Sequence, residues 1–332
     1  MIETHDLTKV YEGVLALDRL NLYIGPGECF GFIGPNGAGK TTTIRILATL
    51  LDPSEGTATI DGHDVVNYPD RVRKLMGFMP DYYGVYDGIT VWEYLDFFAA
   101  AYGIERRARN RVIEDVIELT DLKTLREKLV SVLSKGMKQR LCLAKTLVHD
   151  PKVLLLDEPA SGLDPRARIE FRALLKELRN MGKTILISSH ILKELADMCN
   201  TVGILDRGRL ICSGSIDEIE KQMNPQRTVK LSVLGHPDKA AEVVKTFPFV
   251  VGATVEGPNL VRFEVTGAPD LPAVVRKLGE VGILITGIVE EKADLEQVFM
   301  RIARAEDEGA AAVEARTGPQ RAGTRPADGR SG

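Results

Sequence analysis

The chain has 332 residues, 44% hydrophobic and 27% charged, with a formal net charge of −4. That length suits two domains or one large domain with an appendage, and the composition is that of an ordinary globular protein. The charge does not suggest a nucleic-acid binder, no run approaches the roughly 18–20 uncharged apolar residues that span a bilayer, and the start Met1–Asp6 lacks the basic and apolar stretches of a signal peptide, so a cytoplasmic protein is expected.

The first informative segment is Cys29-Phe30-Gly31-Phe32-Ile33, a short apolar strand, followed by Gly34-Pro35-Asn36-Gly37-Ala38-Gly39-Lys40-Thr41-Thr42. Those nine residues contain the phosphate-binding pattern G-x-x-x-x-G-K-[ST]. Thr42 to Leu47 opens a helical pattern, with apolar residues Ile44, Leu47, Leu50 and Leu51 at helical spacing. Strand, glycine loop and helix start aim successive backbone N–H groups at one phosphate, and the helix dipole favours its negative charge. Lys40 adds a charge-assisted hydrogen bond to the outer phosphates, and the Thr41 hydroxyl is suited to magnesium. The alternative, a glycine-rich turn that binds nothing, leaves the lysine without a purpose. The chain is therefore expected to bind a nucleoside triphosphate.

Residues 1 to about 220 alternate apolar strands with helices, which predicts a parallel sheet covered by helices. The spacing predicts helices over 91–102 and 109–119, and a third that runs from Ser134 to Leu147, so the stretch between the first two chemical motifs reads as a helical insertion. Val153–Leu156 is a strand that ends in Asp157-Glu158-Pro159. A carboxylate there can reach the magnesium ion directly or through water, and the next one, Glu158, can orient or deprotonate an attacking water. Thr184–Ser188 is a further strand, running into Ser189-His190. In open α/β sheets ligands sit at the carboxyl ends of the strands, so all three polar groups can converge on one nucleotide. The four cysteines, Cys29, Cys142, Cys199 and Cys212, have no C-x-x-C spacing and read as buried small hydrophobes.

Beyond about Gln226 the pattern changes. Strands are predicted at 228–233, 250–255, 261–265 and 283–289, and helices at 238–246 and 271–280. This βαββαβ order is the split-βαβ arrangement of a small two-layer, ferredoxin-like domain. A closing helix is expected at 294–303, and the residues from 305 to 332 cannot offset the entropy of ordering, so they are expected to be a disordered tail.

With these motifs in this order, residues 1 to about 220 resemble the ATP-binding subunits of ABC transporters. The family's signature, usually Leu-Ser-Gly-Gly-Gln, stands here as Leu133-Ser134-Lys135-Gly136-Met137. Ser134 also reads independently as a helix N-cap, and on its own would be only that. Ser161-Gly162-Leu163-Asp164 matches the family's dimer-contact loop, His190 its switch histidine, and Tyr11 the aromatic that stacks on adenine. Alone, His190 would more often be structural.

Three positions depart from the pattern. Asp81 stands where a glutamine is usual; it can approach magnesium but cannot donate a hydrogen bond. Lys135 and Met137 replace Gly and Gln, and Lys135 either strengthens a closed state beside a γ-phosphate or points into solvent, the latter being expected.

The resemblance implies an α/β P-loop NTPase domain over 1–225 with a helical subdomain at about 88–150, then an α+β domain over 226–304. It implies ATP and Mg2+ as ligands, with Thr41, Asp157 and Asp81 near the metal, Glu158 and His190 as catalytic groups, and Ser134–Met137 facing the partner subunit's ATP. Two such subunits, identical or not, would close head to tail and drive a separate membrane permease, which puts the chain at the inner face of the cell membrane. Gly88–Leu95 and Asp294–Phe299 are similar to the drug- and polymer-exporting ABC-2 branch. Soluble ABC-type ATPases acting on ribosomes or DNA, and low-turnover regulatory subunits, remain as the other readings.

Overall fold

The computed structural model describes residues 1–291 apart from Tyr83, Val85, Asp87, Asp197, Ile216, Asp217, residues 220–225 and Ala268. The expected closing helix at 294–303, the Asp294–Phe299 motif and the tail at 305–332 lie outside the described residues. The chain divides into two compact units, Met1–Gln222 and Met223–Gly332.

The first unit holds two sheets. The central one has six strands: β3 (Cys29–Ile33), β6 (Met76–Met79), β7 (Val153–Leu156), β8 (Thr184–Ser189), β9 (Thr201–Asp206) and β10 (Arg209–Gly214). Their order is β10-β9-β3-β8-β7-β6, parallel throughout except for the β9–β10 hairpin at one edge. β3 and β7 are buried along their whole length, as expected of near-continuous apolar strands covered on both faces.

The second sheet corrects the expectation of a parallel sheet alone. β1 (Ile2–Tyr11), β2 (Val14–Ile24), β4 (Glu55–Ile60) and β5 (His63–Asp64) form an antiparallel sheet in the order β2-β1-β4-β5. Its hairpins, like the β9–β10 hairpin of the central sheet, are written in the backbone. Glu12-Gly13, Asp61-Gly62 and Arg207-Gly208 all have positive φ at both positions, the combination that lets a two-residue turn follow the twist of the strands it joins. Register shifts within β1 blur its alternation of buried and exposed residues, which hides the strand from a period-two reading. The two sheets share one core, in which Ile2, Leu17 and Ile60 pack with Phe30, Phe32 and Leu155.

Helix α1 (Lys40–Leu47) follows β3, and α2 (Pro69–Leu75) precedes β6. α1 is shorter than the apolar spacing suggested. Thr49 takes a positive φ of 60° just beyond it, and Leu50 is 62% exposed. Between β6 and β7 lie the helices α3 (Val91–Ala101), α4 (Arg106–Leu119) and α5 (Lys135–Leu147). α3 starts in a capping box, with Thr90 accepting from the Glu93 N–H and Glu93 accepting from the Thr90 N–H. After β7 comes α6 (Pro165–Asn180), and after β8 the short α7 (Leu192–Ala196).

The second unit runs β11 (Gln226–Leu234), α8 (Pro237–Lys245), β12 (Val250–Val255), β13 (Leu260–Thr266), α9 (Leu271–Glu280) and β14 (Leu284–Glu291). Its sheet is antiparallel in the order β12-β13-β11-β14. Alternate residues of β11 (Val229, Leu231, Val233) and β13 (Val261, Phe263, Val265) are buried with Ala240, Ala241 and Val244 of α8 and Val274 and Leu278 of α9. Each of the larger side chains contributes about 1.5–3 kcal/mol by leaving water.

Candidate active site

The phosphate-loop residues wrap a turn held by backbone contacts from outside it. The Gly208 N–H donates to Ala38 O at 2.9 Å, which ties the loop to the β9–β10 hairpin. Gly34 has no room for a side chain, since a Cβ there would overlap Leu205 O of β9. Gly39 caps α1 with φ 106°, a conformation that glycine alone adopts without strain.

Lys40 opens α1 and is 6% exposed. Its ammonium donates to Gly34 O at 2.6 Å and to Pro35 O at 3.0 Å, and lies 3.9 Å from Glu158 Oε1. Burial lowers the Lys40 pKa, while Glu158 and Asp157 oppose that shift. The lysine thus folds onto carbonyls of its own loop, contacts that an incoming phosphate would replace.

At the end of β7, Asp157 is 1% exposed. One oxygen, Oδ1, accepts from Ser188 Oγ at 2.6 Å, and Thr41 also hydrogen-bonds the carboxylate. The other, Oδ2, is buried and has no hydrogen-bond partner among the described residues. Burial raises the Asp157 pKa most; the Ser188 and Thr41 hydrogen bonds oppose it, and the nearby Asp81 and Glu158 carboxylates add to it. An unsatisfied buried carboxylate oxygen beside a threonine hydroxyl and further carboxylates fits a hard divalent cation such as Mg2+.

Glu158 follows with a backbone φ of 48°, a left-handed conformation that costs a non-glycine residue about 1–3 kcal/mol. Its N–H donates to Ser188 Oγ at 2.8 Å, and His190 Nδ1 lies 2.7 Å from Glu158 Oε2. The sites at the ends of β3, β7 and β8 therefore meet around one carboxylate. Ser188 joins Asp157 to Glu158, and reading the sequence did not single it out; the only available signal was a hydroxyl ending an apolar strand one residue short of Ser189-His190.

The signature residues form a second cluster. Ser134 caps α5, accepting from the Met137 N–H at 3.3 Å. A Cβ on Gly136 would touch Leu163 and Ala167 at 3.4 Å each. The Asp164 carboxylate caps α6 by accepting from the Ala167 N–H at 2.9 Å. Lys135 is exposed, and its ammonium packs against Gly162. The signature start and the Ser161–Asp164 loop are thus neighbours within one chain. Ser161 and Glu158 line one cavity with Lys135 and Asp81, which links this cluster to the carboxylates. Tyr11 ends β1, exposed, with Lys9 Nζ 5.3 Å from its ring centroid.

A second element missed in the sequence lies behind the histidine. Arg168 of α6 donates to Leu163 O at 3.3 Å, and its Nε is 3.1 Å from Glu194 Oε1 of α7. Ser189, beside His190, donates to Glu194 Oε2 at 3.0 Å.

Comparison with known proteins places the chain in a family. Residues 17–161 match the family described as ABC transporter. The chain is 38% identical over 222 residues to the probable multidrug ABC transporter ATP-binding protein YbhF of Escherichia coli, covering 67% of this chain but only 38% of that protein's length. It is 33% identical over 303 residues to Nod factor export ATP-binding protein I of Burkholderia pseudomallei, covering 91% of this chain and 96% of the relative. Among solved structures, an ATP-binding subunit of an ABC transporter superposes with a TM-score of 0.61 at 30% identity, over 67% of this chain and 92% of the other. With near-complete coverage of a relative above 30% identity and this fold, the chain belongs to the ATP-binding proteins of the ABC transporter family.

Proposed function

We propose that the chain hydrolyses ATP and that two such subunits, closing head to tail, power export through a separate membrane permease. The observation that carries this reading is the meeting of Lys40, Asp157, Glu158 and His190 at the ends of three neighbouring parallel strands. Backbone N–H groups of residues 34–42 and the start of α1 bind the phosphates, and Lys40 exchanges its loop carbonyls for phosphate oxygens. Glu158 takes the proton of the attacking water, and His190 holds the Glu158 carboxylate in place through Nδ1. Thr41, Asp157 and, more distantly, Asp81 would hold Mg2+, which neutralises phosphate charge when bound. Ser134, Lys135, Gly136 and Met137 face the ATP of the partner subunit, and Ser161–Asp164 lies along the interface between the two subunits. Tyr11 stacks on the adenine.

Export, rather than import, is supported by likeness along most of the chain to a protein whose name gives it as a Nod factor exporter. A separate permease is supported by the absence, among the described residues, of any helix long and apolar enough to cross a membrane. The chain would then work at the inner face of the cell membrane. We further read the domains as 1–225 and 226–304, the second as ferredoxin-like, supported by its βαββαβ order and antiparallel sheet.

The test is ATP turnover by the purified chain and by Glu158→Gln, with molecular size measured with and without Mg·ATP. Turnover by the wild type, together with an inactive variant that becomes an ATP-dependent dimer, is the expected result. A Glu158→Gln variant that hydrolyses as fast as the wild type would overturn the assignment of the base.

A further inference from the structure

Three helices of the first unit end around one groove. α4 stops at Leu119, α5 at Leu147 and α6 at Asn180, and residues from the closing turns of all three line a cavity of about 660 Å3. Asp150 and Lys183, which also line it, lead into β7 and β8. The groove therefore opens at the amino ends of those strands, the end of the sheet opposite to Asp157 and His190. Its volume lies within the roughly 300–1,000 Å3 of small-molecule sites. Its walls are apolar. Val112 and Val116 stand one helical turn apart on α4, Leu147 closes α5, and Leu178 and the 57% exposed Met181 end α6.

The rim of the groove is anionic. Asp115, Glu118, Asp150 and Glu177 stand around it, and Lys183 is the one cation among the described residues that line it. Lys183 is already engaged: its ammonium donates to Pro151 O at 2.7 Å and pairs with Asp150. Asp115 has Arg111 at 4.0 Å, whereas Glu118 and Glu177 are exposed without a cationic partner among the described residues. The helix ends add to the field, each with a partial negative charge of about half an elementary charge. The basic side chains that could offset it are turned elsewhere. α4 has none in its last turn, Lys145 of α5 lies over the Phe98 ring, and Arg179 of α6 donates to Met198 O at 3.4 Å. Water satisfies exposed carboxylates, but it does not satisfy the apolar walls between them.

We propose that this groove binds a small lipophilic cation, an amine or onium group carried on an aromatic or aliphatic body. The body covers the walls of α4 and α6, and the charge sits at the rim toward Glu118 and Glu177, where three helix ends favour it. An anion of the same shape meets repulsion there. Such a ligand joins α4 and α5 of the helical insertion to α6, at a place separate from the phosphate loop.

The experiment is calorimetric titration of the full-length chain with tetraphenylphosphonium and with tetraphenylborate, a cation and an anion of closely similar shape. One phosphonium ion is expected to bind per chain, with the borate at least about ten-fold weaker. The double substitution Glu118→Gln/Glu177→Gln, at two exposed positions, is expected to weaken phosphonium binding about five-fold or more, as two rim charges imply. Met181→Lys, which brings an ammonium to the mouth of the groove, is expected to abolish it, with circular dichroism showing that both variants fold. Saturating Mg·ATP should leave the phosphonium affinity unchanged. Several outcomes overturn the proposal: no binding at millimolar phosphonium, equal affinity for the two ions, a double variant that binds like the wild type, or displacement by Mg·ATP.

Discussion

His190 Nδ1 and Glu158 Oε2 are 2.7 Å apart although the residues are separated by 32 positions in the chain. An ionised carboxylate only accepts, so Nδ1 must carry the hydrogen, and Nε2 is left for other partners. This contact and the Lys40 ammonium at 3.9 Å hold the two Glu158 oxygens on different sides. Glu158→Gln keeps the shape and removes the base, and turnover is expected to fall about 10²–10⁴-fold. His190→Ala frees the carboxylate to rotate without removing it, so a smaller fall is expected, with ATP binding retained. Single-turnover kinetics with radiolabelled ATP separates the two; equal losses in both variants would count against an orienting role for His190.

Ser188 connects the Asp157 carboxylate to Glu158, the proposed base, donating to Asp157 Oδ1 at 2.6 Å and accepting from the Glu158 N–H at 2.8 Å. Ser188→Ala leaves both groups short of a partner in a buried place, at a cost of about 1–3 kcal/mol. It also loosens the strained backbone at Glu158. Turnover is expected to drop roughly ten-fold or more, at a rate of the order that energy implies, with a raised Mg2+ requirement. A magnesium titration of the variant against the wild type checks this, and an unchanged half-saturation would sink the link to the metal side.

The candidate site residues Lys40, Asp157, Glu158 and His190 were legible because each sits at the end of an apolar strand or inside a glycine pattern with a fixed mechanical purpose. The second unit was readable for the same kind of reason: in β11 and β13 every second residue is buried, as Val261, Phe263 and Val265 are. The antiparallel sheet was not, because bulges in β1 break its alternation, its first turn is the lone dipeptide Glu12-Gly13, and the strand after Asp61-Gly62 is only two residues long. Ser188 and the Arg168–Glu194 pair were invisible for a different reason. The partners of Ser188 and of Arg168 are distant in sequence, and nothing local distinguishes a serine that braces two carboxylates from one facing water.

Two glycines of the phosphate loop separate steric need from conformational need. A Cβ on Gly34 would overlap the Leu205 carbonyl and come within 2.9 Å of Ala38 Cβ. Gly37 has a φ of 85°, with nothing within 4 Å of an added Cβ. Gly37→Ala therefore pays only the left-handed backbone cost of about 1–2 kcal/mol, and is expected to weaken ATP binding no more than about 30-fold. Gly34→Ala must displace β9 or the loop itself, and is expected to abolish binding. Equilibrium binding of a fluorescent ATP analogue ranks the two, with circular dichroism to confirm that both variants fold; the reverse ranking would refute the packing argument.

His149 makes acid stability testable away from the nucleotide. Its ring stacks on Tyr102 with centroids 3.7 Å apart, its Nε2 is 2.9 Å from Met76 O, and its Nδ1 is buried without a partner among the described residues. Since the carbonyl only accepts, Nε2 carries the hydrogen of the neutral ring. Burial lowers the His149 pKa, the Met76 hydrogen bond and Asp150 oppose that, and Lys183 adds to it. The sign follows from the protons bound. As pH falls below the unfolded value of about 6.5, the unfolded chain takes up a proton that the folded site refuses, so stability drops until the folded pKa is reached and is level below it. Above about pH 7 this group contributes no slope. His149→Phe keeps the aromatic stack and removes the titration, so its urea midpoint should be lower than the wild type's at pH 7.5 and should fall less between pH 7 and 5. Parallel midpoint-against-pH curves for the two proteins would assign the acid sensitivity to other groups.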